Sequence, residues 1–280
     1  MNLIESPDAM QSAALAWRAA GERVVLVPTM GALHAGHASL LKIGRALGST
    51  LVLSIFVNPA QFGPHEDLET YPRTLDADFS IARECGVDAV FTPTAAAIYP
   101  ENFRTFVDVT ELDAVLCGAQ RPGHFRGVAT VVLKLFNLIL PHTAIFGEKD
   151  FQQLQIIRRL THDLALPIEI IGAPIVREPD GLALSSRNRY LSPAERTQAV
   201  AISAALAHAK HLVAHGSTAA EKIQHAVVEA LHAAGIRVID YVTIVDPNTL
   251  LEISTLTPTA RLCIAVHVGS TRLIDNVALV

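Results

Sequence analysis

Five short apolar runs, at residues 24–27, 51–57, 89–91, 144–146 and 168–171, alternate with stretches of helical periodicity, and this alternation limits the possible folds more than any other feature. The runs are almost wholly apolar, Ser54 and Glu169 being the exceptions; those at 24–27, 51–57 and 144–146 read as buried strands, and those at 89–91 and 168–171 as further strands. Such strands alternating with helices predict a doubly wound parallel sheet of the α/β class. The helices are expected from Pro7, where Ser6 supplies a cap and proline occupies the first helical position, and at 34–47, 76–85, 128–140 and 150–160. In such sheets ligands bind beyond the carboxyl ends of the strands. The residues after Val27, Val57, Phe146 and Ile171 are therefore the places to look for chemistry.

The pattern changes after about residue 177. Two alanine- and histidine-rich helices are expected at 193–215 and 218–234, followed by strands at 238–245, 261–266 and 273–277, the last pair joined through Gly269-Ser270. The chain thus divides into a Rossmann-like domain, 1–176, and a smaller α+β C-terminal domain, 177–280. A chain of 280 residues, half of them hydrophobic, can fill both cores. A formal charge of −5 argues against a broad nucleic-acid surface. Three scattered cysteines, Cys85, Cys117 and Cys263, form neither a disulfide framework nor a zinc site, which fits a reducing, cytoplasmic setting. The N-terminus lacks the basic and apolar regions of a signal peptide. The apolar stretch 128–146 is broken by Lys134, Asn137, Pro141 and His142, and reads as a buried helix and strand rather than a membrane span.

Four segments carry residues suited to chemistry. The first, Val27-Pro-Thr-Met-Gly-Ala-Leu-His-Ala-Gly-His37, places His34 and His37 on one side of a helix's first turn, where free N–H groups and the dipole favour an anion. Gly31 suits the tight turn, and Gly36 permits close approach of a phosphate. The same two histidines are also compatible with a metal site that lacks a third ligand, or with an ordinary polar face. In the second, Ser54-Ile-Phe-Val-Asn-Pro-Ala-Gln-Phe-Gly63, the amides of Asn58 and Gln61 suit a hydroxylated acid, although Asn58 is equally suited to capping the loop. Just beyond it, Glu66, Asp67, Glu69, Asp76 and Asp78 offer carboxylates to Mg²⁺, but such groups are commonplace on solvated turns. The polar stretch 58–73 is too long for an ordinary connection. The third, Phe146-Gly-Glu-Lys-Asp-Phe-Gln-Gln153, brings Lys149 to a helix start, a place that favours a cation only if an anion sits there too. Asp150 is expected as a cap or as a ribose or metal contact, with Gln153 one turn on. In the fourth, around Leu184-Ser-Ser-Arg187, two hydroxyls and a guanidinium can wrap a polyphosphate and stabilise a leaving pyrophosphate.

Taken together, Pro28-Thr-Met-Gly-Ala-Leu-His-x-Gly-His37, Phe56-Val-Asn-Pro-x-Gln-Phe-Gly63, Tyr71-Pro-Arg-Thr74, Gly123-His-Phe-Arg-Gly-Val128, Phe146-Gly-Glu-Lys-Asp-Phe-Gln-Gln153 and Ser185-Ser-Arg-Asn-Arg-Tyr-Leu191 resemble the pantoate–β-alanine ligase family, of the HxGH-type nucleotidyl transferases. Leu184 stands where the family usually has methionine, and Ala35 and Ala38 replace larger residues. The resemblance implies a cytoplasmic homodimer that uses ATP and Mg²⁺ to turn (R)-pantoate into pantoyl adenylate, which β-alanine then converts to pantothenate in coenzyme A biosynthesis. It also implies catalytic roles for His34, His37 (the proton donor), Lys149, Ser185, Ser186 and Arg187. The ATP site it implies comprises Met30, Gly31, Ala32, Leu33, His34, Ala35, Gly36, His37, Gly147, Glu148, Lys149, Asp150, Val176, Leu184, Ser185, Ser186 and Arg187. Gln61, Asn58 and Gln153 are the expected substrate contacts, and the Mg²⁺ ligands are left unassigned. No nucleic-acid or membrane partner is expected. A nucleotidyl transferase making a dinucleotide-like product would share the HxGH motif without needing Asn58, Gln61 or Gln153. A non-catalytic nucleotide sensor could dispense with Lys149 and the Ser-Ser-Arg set.

Overall fold

The computed structural model describes residues 1–64 and 66–280. Six parallel strands form one sheet: β1 (Asn2–Ile4), β2 (Val24–Thr29), β3 (Thr50–Ile55), β4 (Ala89–Phe91), β5 (Thr143–Gly147) and β6 (Glu169–Ala173), in the order β1-β4-β3-β2-β5-β6. Between them run α1 (Pro7–Ala19), α2 (Ala35–Leu47), α3 (Leu75–Glu84), α4 (Ala95–Ile98), α5 (Leu116–Gln120), α6 (His124–Ile139) and α7 (Phe151–Asp163).

The unbroken apolar runs follow from burial on both faces. Val24 and Leu26 pack with α1, α6 and α7, whereas Val25 and Val27 pack on the opposite side with α2 and α3. From β2 the chain moves through β3 to β4 on one side of the sheet, and later places β5 and β6 on the other. The reversal leaves a crevice beyond the ends of β2 and β5. Thr29 and Gly147 close those strands, so the first and third motif segments meet there.

The remaining elements are α8 (Pro193–Ala214), α9 (Ala220–Ala233), β7 (Val238–Val245), β8 (Arg261–Val268) and β9 (Thr271–Ala278). The three strands form an antiparallel sheet in the order β7-β8-β9, with Gly269 in the left-handed region (φ 56°) at the last turn. Alternation divides the two faces of this sheet. Leu262, Ile264, Val266 and Leu273 pack under α8 and α9, while Cys263, Tyr241 and Ile274 rest against the core of the parallel sheet.

Several boundaries differ from expectation. Helix α6 starts at His124 rather than Val128, because Gly123 (φ 82°) turns the chain into it. A 3-10 turn over Glu148–Asp150 precedes α7, and Asp150 makes no side-chain capping bond. Strand β1 and the short helices α4 and α5 lack a run long enough to be read in advance. The stretch 128–146 is the end of α6 and most of β5, and among the described residues no helix is long and apolar enough to cross a membrane.

Candidate active site

His34 and His37 form an unusual helix cap. His34 Nδ1 accepts from the Gly36 N–H at 3.1 Å, and His37 Nδ1 accepts from the His34 N–H at 3.3 Å. With both Nδ1 atoms accepting, each neutral ring carries its proton on Nε2. Burial, reinforced by Lys149, lowers the His34 pKa to about 4. Burial and the neighbouring His34 lower that of His37 to about 3. Both rings are therefore neutral Nε2–H donors near pH 7. A Cβ on Gly36 would come within 2.8 Å of the His34 ring, so this glycine first of all makes room for the cap.

The loop before the cap is held from below. Asp78, 1% exposed, accepts from the N–H groups of Ala32 (3.0 Å) and Leu33 (2.8 Å) and from the Thr74 hydroxyl (3.1 Å). Its carboxylate is thereby committed to the loop and withdrawn from any metal role. Gly31 (φ 85°) passes over it with no room for a side chain. Met30, His34, Gly36 and His37 line a cavity of about 240 Å³. Gly31, Ala32 and Leu33 instead form the buried underside of the loop, and Ala35 faces outward.

Asn58 lines the same cavity as expected, but its amide is already engaged. It is 1% exposed and fully hydrogen-bonded within the protein: Nδ2 donates to Gln61 Oε1 (3.0 Å) and the Gly127 carbonyl (3.1 Å), and Oδ1 accepts from the Ala60 N–H (3.3 Å) and the Tyr99 hydroxyl (2.8 Å). It has no group left for a substrate; it orients Gln61. With its oxygen held by Asn58, Gln61 turns its Nε2 toward the cavity, where its contact is the soft Met30 sulfur at 3.2 Å. The Gln61 carbonyl accepts from His124 Nδ1 at 2.8 Å, and burial lowers the His124 pKa to about 4.

Lys149, Asp150, Gly147, Gln153, Val176, Leu184, Ser185, Ser186 and Arg187 all line the same cavity. Glu148 does not: its carboxylate turns away to Arg261 at 2.9 Å. Arg187 is already paired through two hydrogen bonds with Asp67, at 2.8 and 3.1 Å. Burial works against the Arg187 charge, but this pair outweighs it and raises the pKa above the ordinary value. Glu66 likewise pairs twice with Arg121, at 2.6 Å each. Glu66 and Asp67 are thus engaged, while Glu69 and Asp76 are exposed and line neither this cavity nor its neighbour. Together with Asp78, this removes the acidic stretch as a ready-made Mg²⁺ site. A neighbouring cavity of about 660 Å³ lies between the two sheets and shares Arg121, His124, Lys149, Asp150, Gln153, Ser185 and Arg187 with the first.

Arg121, Arg261, Asp275 and Asn276 were not anticipated. Each has a partner 55 to 128 residues away along the chain, which no local pattern announces. The motif containing His124 was legible only through the family resemblance.

A family profile described as Pantoate-beta-alanine ligase matches residues 2–278. The chain belongs to the pantoate–β-alanine ligase family. Curated relatives include the pantothenate synthetases of Geotalea uraniireducens, 51% identical and covering 100% of this chain and 99% of the relative, and of Geobacter sulfurreducens, 49% identical with the same coverage. The crystal structure of pantothenate synthetase from Thermus thermophilus is similar with a TM-score of 0.94 and 44% identity, covering 100% of this chain and 99% of the other. The pantoate–β-alanine ligase of Francisella tularensis, complexed with beta-gamma ATP and beta-alanine, gives a TM-score of 0.81 and 32% identity, covering 100% of this chain and 98% of the other. These ligases share both the parallel sheet and the smaller antiparallel unit.

Proposed function

We propose that the 240 Å³ cavity is where this ligase joins (R)-pantoate to β-alanine at the expense of ATP, releasing AMP and pyrophosphate. The observation that carries the reading is the division of that cavity's wall. Phe56, Val128, Val131, Val132, Leu135 and Phe146 form an apolar floor for a dimethyl-substituted carbon. Gln61 and Gln153 offer amides to the hydroxyls and carboxylate, and the phosphate-directed groups line the rest of the wall.

A carboxylate is a poor acyl donor because its oxygen leaves badly. A pantoate carboxylate oxygen bonds to the α-phosphorus as the bond from that phosphorus to the pyrophosphate oxygen breaks. Negative charge builds on the phosphate oxygens, where the Nε2–H groups of His34 and His37, the Lys149 ammonium and the Ser185, Ser186 and Arg187 donors stabilise it. Family resemblance makes His37 the proton donor, but as a neutral imidazole it supplies an Nε2–H hydrogen bond to the phosphate oxygens rather than a transferred proton. The free amine of β-alanine then attacks the activated carbonyl; the C–N bond forms as the carbonyl carbon's bond to the phosphate oxygen breaks, AMP leaves, and the surplus amine proton passes to solvent. No enzyme nucleophile takes part. Asn58 orients Gln61, and Glu148 braces the turn beneath Lys149.

Among the described residues, no three His, Cys, Asp or Glu side chains gather into an all-protein metal site. Mg²⁺ commonly binds through one or two carboxylates together with substrate phosphates. Asp150 fits that arrangement: it is half exposed, lines both cavities and lies 4.0 Å from Lys149. When bound there with ATP, Mg²⁺ would offset charge on the triphosphate.

Residues 1–176 and 177–280 act as two halves around the nucleotide, and the 62–75 loop, of which residue 65 lies outside the described residues, completes the cover. Its Asp67 reaches Arg187, its Tyr71 hydroxyl lies 3.4 Å from Ser186 Oγ, and its Thr70 carbonyl accepts from Tyr190 at 3.4 Å. Water exclusion of this kind protects an adenylate. The protein works as a cytoplasmic homodimer. The test is pantoate-dependent exchange between ATP and pyrophosphate without β-alanine; exchange that ignores pantoate, or none at all, refutes the reading. A stable pantoyl-adenylate mimic should protect the 62–75 loop from proteolysis, and unchanged cleavage would count against closure.

A further inference from the structure

Strand β9 lies outside every motif described above, yet two adjacent residues on it hold both segments that carry the phosphate-directed side chains. Asn276 is 3% exposed. Its Nδ2 donates to the carbonyls of Glu148 (2.9 Å) and Lys149 (3.0 Å), and its Oδ1 accepts from Arg261 Nε (2.6 Å). Arg261 completes this grip through the Glu148 carboxylate and by lying 4.2 Å from the Phe151 ring centre. Asp275, also 3% exposed, points to the other face of the strand, where its two oxygens accept from Arg177 at 2.6 and 2.9 Å. Arg177 bridges to Ala183, and the next residues are Leu184, Ser185, Ser186 and Arg187.

Resting on the ligase reading, we propose that Asp275 and Asn276 are positioning residues for adenylation, fixing Lys149 relative to Ser185, Ser186 and Arg187. Lys149 rides on a three-residue 3-10 turn with no side-chain cap of its own. Asn276 supplies from the second sheet the hydrogen bonds that hold this turn. Asp275 anchors the opposing ribbon through the same stretch of β9 backbone, so the spacing of the phosphate contacts is set by one strand. Neither residue lines the 240 Å³ cavity, although both border the larger one beside it. Small misplacements of groups of this kind cost about 10²-fold in rate.

Asn276→Ala, Asn276→Asp and Asp275→Asn are compared with the unmodified chain in two assays: pantoate-dependent ATP–pyrophosphate exchange, and the reaction of supplied pantoyl adenylate with β-alanine. Both Asn276 variants should lower exchange about 10- to 100-fold, and Asp275→Asn about 10-fold. Aminolysis of the supplied adenylate, in which pyrophosphate has no part, should fall no more than about threefold. Asn276→Asp keeps the volume but turns a carboxylate toward two carbonyls, so it should lose at least as much exchange as the alanine variant. Near-parental exchange in Asn276→Asp, or equal losses in both half-reactions, would overturn the proposal. Should an Asn276 variant fail to fold, Asp275→Asn decides by the same split. Exchange by the unmodified chain reports separately on the ligase reading, which stands if that activity is present whatever the variants do.

Discussion

Replacing Gly36 with alanine separates the two reasons a glycine might stand between the histidines. The backbone at Gly36 is not left-handed, so alanine meets no strain there. Its Cβ would lie 2.8 Å from His34 Cε1 and 2.9 Å from His34 Nδ1, both ring atoms of a side chain that can swing away. Displacing the ring breaks the cap on the Gly36 N–H, a loss of about 0.5–2 kcal/mol. Alanine in place of glycine in a helix returns about 1 kcal/mol. The two effects nearly cancel, so the midpoint of thermal unfolding should move by no more than about 2–4 °C. Activity should not be spared, because the displaced ring carries its Nε2–H away from the phosphates, and losing one such donor costs about 10²–10³-fold. Pantoate-dependent exchange is therefore expected to fall about 100-fold in a well-folded protein. The reasoning is checked by repeating Gly36→Ala in a His34→Ala background, where it should add nothing. A further loss there would mean that the methyl group obstructs the phosphate itself. Exchange within about threefold of parental in the single variant would refute the steric argument altogether.

Asp78→Ala should destabilise the protein by about 2–5 kcal/mol, measured by urea unfolding, because two buried N–H groups lose their acceptor; an unchanged midpoint would contradict the assigned hydrogen bonds. His34, His37 and His124 have folded-state pKa values of about 4, 3 and 4, below the ordinary 6.5. The unfolded chain thus takes up protons that the folded chain refuses, and stability should be level above pH 7 and fall as pH drops from 6.5 toward 4. Thermal midpoints at pH 7.5 and 5 test this, and a His124→Gln variant should show a shallower fall; a midpoint that holds steady or rises on acidification would contradict the burial of these rings. Asp150→Asn should raise the Mg²⁺ concentration needed for half-maximal exchange about tenfold, and no change would remove Asp150 as the metal's anchor.

The central strands were readable because burial on both faces leaves a mark on each of their residues, as at Val24 through Val27. Strand β1 left no such mark, since it is three residues long, pairs with β4 at the edge of the sheet and tucks only Ile4 against the core. The His34 and His37 cap was visible because its partners are local. Asn58 had the same chemistry as a ligand, and only Tyr99 and Gly127, brought in from elsewhere, show that its hydrogen bonds are already made. Glu148 belongs to the same motif as Lys149, but the turn sends the two side chains in different directions, toward Arg261 and the cavity respectively. The grip of β9 on that turn has no sequence signature, because each half of it is an ordinary polar residue until the chain folds.

A helix start closed by serine and glutamate is common, and α8 has one in Ser192 and Glu195. That solution places a negative charge at the positive end of the helix. At α2 two imidazoles satisfy the N–H groups of His34 and Gly36 while leaving the dipole uncompensated. Rebuilding α2 with the α8 pair, His34→Ser with His37→Glu, would give a sturdier helix whose entrance repels polyanions. Here the ordinary means of steadying a helix would disarm it, and uncharged rings keep its attraction in reserve for the nucleotide.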